Sequence, residues 1–384
     1  MPNNQFQSKL PHIGTSIFTE MSGLAIRTGA INLSQGFPEF AAPSYLKEMV
    51  NQAINQDKNQ YSPSPGQPEL LAQIATLIQM RYSFELDATK QITVTSGATE
   101  ALFVAIQSIV CPNDEVIIFD PAYDSYEPAV SLAGGKTIHI PLKSPDYKID
   151  WQQVTNKINN NTKAIITNTP HNPTGSLLNQ ADLEILEEIV TENQLYLISD
   201  EVYEFITFDG ERHESVLRYP KLFERSFVIS SFGKTFHCTG WKMGYCVAPE
   251  ILTEEFRKIH QYVTFCSPTP FQVGIAQMIE KGEQHISELS GFYQLKRDIL
   301  SNALKESRFK VLPSKGTYFL LLDYSDISDL EDREFCNWLT EEIGVATIPL
   351  SPFYKENPHS KVIRLCFAKN EETLLEAAAK LCGL

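Results

Sequence analysis

The chain has 384 residues, 42% of them hydrophobic and 10% aromatic, which is enough apolar material for two domains and beyond the size at which one core keeps growing. Its 47 acidic against 32 basic residues leave a net charge of -15, a surface that repels phosphate backbones and argues against nucleic-acid binding. No run approaches a membrane span, the seven cysteines form no C-x-x-C pair, and the eight histidines show neither H-x-x-x-H nor H-E-x-x-H spacing, so neither a membrane, a disulfide framework nor a metal is expected.

In chain order, Met1 to Leu10 is polar and lacks the basic and apolar regions of a signal peptide, and the cysteines read as core residues or free thiols of a cytoplasmic protein. From about residue 90 to 250, strand-like apolar runs alternate with helix-length amphipathic segments, the pattern of an open, mostly parallel sheet covered by helices. Residues 91–95 lead through Ser96-Gly97 into a helix pattern from Ala98 to Val110. Residues 115–119 lead to Asp120-Pro121, 163–167 to Asn168-Thr169-Pro170, 195–199 to Asp200-Glu201, and 227–229 to a loop that carries Lys234. Ligands of such sheets bind outside the carboxyl ends of the strands, where these loops converge. The last hundred residues change character: charged helical stretches at 292–306, 332–342 and 371–381 surround apolar runs at 316–321 and 362–366, as in a smaller α+β domain. There is no internal repeat or low-complexity tract.

The loop Ser231-Phe232-Gly233-Lys234-Thr235 resembles the end of a P-loop, but that motif needs glycine five positions before Gly233, where Val228 stands. Two readings of Lys234 remain: a surface lysine in a glycine-containing loop, or an amine that condenses with an aldehyde, with Ser231 and Lys242 as anion-holding neighbours. Asp200 likewise reads either as a helix N-cap or as a buried carboxylate in need of a cationic partner. His171-Asn172-Pro173-Thr174-Gly175 is a turn by composition. Asn172, Asp200 and Lys234 nevertheless follow one another on successive strand ends.

With that order the chain resembles the fold-type-I pyridoxal-phosphate enzymes, specifically the class I aminotransferases. The resemblance rests on Ser34-Gln35-Gly36-Phe37-Pro38, Tyr61 with Pro65-Gly66, Ser96-Gly97-Ala98-Thr99-Glu100, Asp120-Pro121-Ala122-Tyr123, Asn172-Pro173-Thr174-Gly175, Asp200-Glu201-Val202-Tyr203, Ser231-Phe232-Gly233-Lys234 and Ile363-Arg364-Leu365, all in the family's order. The runs 7–11, 34–38 and 230–235 are most similar to the methionine aminotransferases and their neighbours, the kynurenine aminotransferase and glutamine transaminase group.

The resemblance implies a large cofactor-binding domain at 41–280 and a small domain from 281–384 with the N-terminal segment 1–40. It implies that Lys234 bonds covalently to pyridoxal 5'-phosphate and then moves a proton, while Asp200 keeps the pyridine nitrogen protonated. Tyr203 and Asn172 would bond the ring oxygen and Tyr123 would stack on the ring. The main-chain N–H groups of Ala98 and Thr99, with Ser231 and Lys242, would hold the phosphate. Arg364, helped by Gly36 and Asn172, would bind the substrate carboxylate. Tyr61 would reach a partner subunit's site, making the protein a homodimer.

The activity implied is ping-pong transamination between an apolar or aromatic L-amino acid, methionine first, and a 2-oxo acid. The aromatic residues Phe18, Phe37, Tyr61, Tyr123, Phe265 and Phe353 suggest an apolar side-chain pocket, although each singly reads as ordinary core and only Tyr61 and Tyr123 are assigned to the site; no second arginine for a distal carboxylate can be placed. The same fold hosts carbon-sulfur β-lyases acting on cysteine conjugates, the alternative reaction. A cofactor-binding transcription regulator is disfavoured for want of a basic helix-turn-helix, and a nicotinamide enzyme for want of G-x-G-x-x-G after a strand.

Overall fold

The computed structural model describes residues 7–384 apart from the side chain of Glu283; the first six residues, which begin both the polar stretch and the 1–40 segment, lie outside the described residues. Seven strands make the main sheet: β1 (Ile92–Thr95), β2 (Glu115–Asp120), β3 (Lys136–Pro141), β4 (Thr162–Asn168), β5 (Tyr196–Asp200), β6 (Ser226–Ser231) and β7 (Gly244–Val247). Their order is β1-β7-β6-β5-β4-β2-β3, and β7 alone runs against its neighbours. The chain thus forms the open, mostly parallel α/β sheet covered by helices that the alternating pattern implies.

The strands read as unbroken apolar runs because both faces of the sheet are covered. Val116, Ile118, Ile166, Ile198, Phe227 and Ile229 pack under the helix Ala98–Ile109, while Ile117, Phe119, Ile165, Leu197 and Val228 alternate with them and join the other core. Observed strands extend past the apolar runs by a residue or two. That shift makes Asp200 the last residue of β5 rather than the first of a loop.

A second, antiparallel sheet follows: β8 (Lys310–Val311), β9 (Phe319–Asp323), β10 (Ile348–Pro349) and β11 (Val362–Cys366), in the order β10-β11-β9-β8. The helical stretch expected at 292–306 is part of a longer helix, Glu283–Ala303, and packs against the helix Glu371–Leu381. The one expected at 332–342 is an α-helix only to Trp338. A π-turn, Leu339–Ile343, follows where the Thr340 hydroxyl donates back to the Cys336 carbonyl at 2.7 Å.

The N-terminal segment is stitched onto this sheet. Ile31–Asn32 pairs with Val345–Ala346, and Cys366 N donates to Leu33 O at 2.8 Å. These bonds bring Ser34 beside Arg364 in β11 and Gly36 against Tyr318 and Phe319. Among the described residues no helix is long and apolar enough to cross a membrane.

Candidate active site

Adjacent parallel strands β4, β5 and β6 end side by side, so the loops that follow them deliver Asn172, Asp200 and Lys234 to one place. There, Ala98, Thr99, Tyr123, Asn172, Asp200, Tyr203, Ser231, Lys234 and Lys242 line a cavity of about 190 Å³. Arg364 and Gly36 border it through hydrogen bonds to Asn172 and Tyr318. Tyr61 does not enter its own chain's cavity. It is 82% exposed, with its ring edge-on to Phe265 at 5.2 Å.

Asp200 forms the floor. No helix follows it, so the N-cap reading fails: the next helical turn begins at Val216. Tyr126 donates to its Oδ2 at 2.6 Å and Asn168 Nδ2 to its carbonyl at 2.8 Å. Burial raises its carboxyl pKa to about 6, against the opposing pull of the Tyr126 hydroxyl and the Lys234 ammonium.

Because the folded pKa lies above the ordinary 3.8, the folded state binds the extra proton. That stabilising contribution is complete below pH 3.8 and is lost as pH rises through about 6. For cofactor-free protein, the stability of wild type relative to Asp200→Asn should therefore fall by about 2 kcal/mol between pH 4 and 7, as read by urea denaturation. A flat difference across that range would contradict it.

Lys234 sits in the single helical turn Phe232–Thr235 directly after β6. Its side chain is half-buried and lines the cavity, so it is no solvated surface lysine. Its Nζ donates to the Tyr318 hydroxyl at 2.8 Å, and Tyr318 in turn donates to Gly36 O at 2.6 Å. Burial lowers the lysine pKa to about 8, with Lys242 and Arg364 pushing the same way and Asp200 opposing.

Arg364 is buried in β11. Nη1 donates to Asn172 Oδ1 and Nη2 to Ser34 O, both at 3.0 Å, while Nε has no partner among the described residues. The guanidinium lies 4.0 Å from the centre of the Phe319 ring, and burial lowers its pKa to about 10, still cationic at neutral pH. A buried fork with an unused donor is ready for a carboxylate.

At the other end of the cavity the helix Ala98–Ile109 starts after Gly97 with no side-chain cap, so its first main-chain donors are available to an anion. Gly97 holds φ +81°, and a Cβ there would come within 3.2 Å of Lys242 Cε, so glycine allows Lys242 to lie against the turn.

The model of the aminotransferase class I and II family matches residues 28–381 of this chain. The chain belongs to that family. Methionine aminotransferase of Escherichia coli K12 is 51% identical over 99% of this chain and 99% of that protein, and kynurenine–oxoglutarate transaminase of Dictyostelium discoideum is 36% identical over 97% and 94%. The crystal structure of an E. coli protein, reported with its reactivity as a methionine aminotransferase, superposes with a TM-score of 0.97 at 51% identity, covering 99% of this chain and all of the other.

The cofactor of class I aminotransferases is pyridoxal 5'-phosphate, and the cavity of this aminotransferase fits it. A buried carboxylate whose raised pKa calls for a cation suits a pyridinium N–H, an uncapped helix start beside Lys242 suits a phosphate, and a lysine of lowered pKa lines the same cavity.

Of the six aromatic residues, Tyr123 lines the cavity and Phe18 and Phe353 lean over Arg364, while Tyr61, Phe37 (44% exposed) and Phe265 (40%) are not among the residues that line it. Two tyrosines escaped the sequence reading. Tyr126, which bonds Asp200, stands three residues after Tyr123, and Tyr318, which bonds Lys234, sits inside a run read only as apolar.

Proposed function

We propose that this aminotransferase exchanges the amino group between an apolar or aromatic L-amino acid, methionine foremost, and a 2-oxo acid. The observation that carries the choice of methionine is the likeness, over nearly the full length of both chains, to the methionine aminotransferase of E. coli. The aromatic rings of Phe18 and Phe353 beside Arg364 support an apolar side-chain site.

When bound, pyridoxal phosphate supplies an aldehyde carbon for the amino group and a ring that withdraws electrons from the substrate α-carbon. Asp200 would hold a proton on the ring nitrogen. With its pKa lowered to about 8, Lys234 Nζ can shed its proton near neutral pH and would move the proton at the substrate α-carbon. Arg364, oriented by Asn172 and Ser34 O, would clamp the α-carboxylate. Tyr203 and Asn172 would bond the ring hydroxyl oxygen, and Tyr123 would cover one ring face. The N–H groups of Ala98 and Thr99, with Ser231 and Lys242, would hold the phosphate, and the Gly36 main chain would lie against the substrate.

Tyr61 would complete the site of a second copy, an assignment supported by the exposed apolar set Tyr61, Tyr262 and Phe265. Sedimentation showing a monomer would remove it. The seven free thiols suit a cytoplasmic setting.

The test is a panel of amino acids in single half-reactions, following the cofactor's absorbance as it takes up the amino group. Methionine should exceed glutamate and aspartate by at least about tenfold in kcat/KM. Either acidic amino acid as best donor would overturn the substrate reading.

A further inference from the structure

A second cavity, of about 220 Å³, adjoins the first and shares Tyr123 with it. Its walls are residues 12–17 of the N-terminal segment, the loop after β2 and the segment 352–355. The last two are tied together: Ala122 N donates to Phe353 O and Lys355 N to Asp120 Oδ2, both at 2.8 Å. Phe18 and Phe353, 5.6 Å apart, stand 5.2 and 5.8 Å from the Arg364 guanidinium. A substrate held by its α-carboxylate on Arg364 would have these rings and, through Phe353, this cavity within reach of its side chain.

Most charges on the walls are already engaged. Asp120 accepts from His139 Nδ1 at 2.8 Å and from Lys355 N. Glu127 accepts from Lys355 Nζ at 2.6 Å, and Arg333 pairs with Glu20 at 3.0 Å. His12 is exposed at the rim. Asp124 has no side-chain partner among the described residues. It opens to the solvent of the cavity, yet the atoms crowding it raise its carboxyl pKa, while the Arg364 guanidinium pulls it down.

We propose that Asp124 is a specificity-determining residue: its unpaired carboxylate at the side-chain cavity keeps out a second substrate carboxylate, so the site takes neutral or cationic side chains and rejects dicarboxylates. Arg364 is committed to the α-carboxylate, and Arg333, the arginine among the lining residues, is paired, so no free cation offsets Asp124 for a distal carboxylate. Like charges brought together in a cavity partly screened from water repel strongly enough to decide between substrates of similar size. This inference rests on the transamination reading above and adds the residue that sets the substrate class.

The holoenzyme tests it in wild-type, Asp124→Asn and Asp124→Glu forms, each given methionine or glutamate in half-reactions. The ratio of kcat/KM for glutamate to that for methionine should rise about tenfold in Asp124→Asn, remain near the wild-type value in Asp124→Glu, and show a smaller gain at high salt. A ratio unmoved within about twofold in Asp124→Asn, or raised equally in Asp124→Glu, overturns the proposal. If methionine fails as a donor for wild type, the reaction assignment falls; if methionine reacts but the ratio stays put, only the role of Asp124 falls.

Discussion

Lys234→Ala protein is expected to lack the visible absorption band of the lysine-bound cofactor and to transaminate at least about 10⁴ times more slowly than wild type. The size of the effect would follow from the loss of both roles proposed for Lys234: the amine that holds the cofactor's aldehyde carbon, and the group that moves the proton at the substrate α-carbon. Burial prepares the amine by lowering its pKa to about 8, and the Tyr318 hydroxyl holds Nζ at 2.8 Å. The fold should survive, because alanine removes a half-buried side chain that faces the cavity. Absorbance spectra and stopped-flow half-reactions measure both effects, and a variant that kept the band would refute the assignment of Lys234.

For Arg364→Lys, KM for the amino acid should rise about 30- to 100-fold with a smaller change in kcat, the pattern of lost substrate binding. Lysine keeps the charge but not the fork. In the native site Nη1 and Nη2 are fixed by Asn172 and Ser34 O, and the flat guanidinium lies on the Phe319 ring. An ammonium cannot make those contacts and also present two parallel donors to a carboxylate. Steady-state kinetics with methionine, alongside circular dichroism to verify folding, provide the measurement. A KM within about threefold of wild type would exclude a bidentate clamp at this position.

These two residues differ in how much of their setting the chain itself announces. Lys234 follows an apolar run and a Gly-containing turn, and its place at a strand end is legible from that local pattern. Arg364 lies in an apolar strand as many surface arginines do. Only its burial, its bond to a carbonyl 330 positions earlier and its unused Nε reveal a prepared anion site. The same contrast holds for the tyrosines. Tyr123 stands in a motif, whereas Tyr318 acquires its contact with Lys234 through a bond that spans 84 positions.

Exposure is not encoded by residue type: Phe18 and Phe353 come to lie over Arg364, whereas Phe37 and Phe265 stay half-exposed.

By itself, the sequence determined the alternating order of strands and helices, the mostly parallel sheet and the strand ends that carry Asn172, Asp200 and Lys234. Those features are written in runs of a few residues, through side-chain periodicity and turn chemistry. Tertiary structure decided which distant groups meet them: Ser34 O against Arg364, Gly36 against Tyr318, Tyr126 turned onto Asp200, and Asp124 in the wall of the adjoining cavity with no side-chain partner among the described residues. Such meetings depend on how two sheets and an N-terminal segment pack in three dimensions. Short-range patterns carry no record of that packing, because the energies that fix it are summed over contacts far apart in the chain.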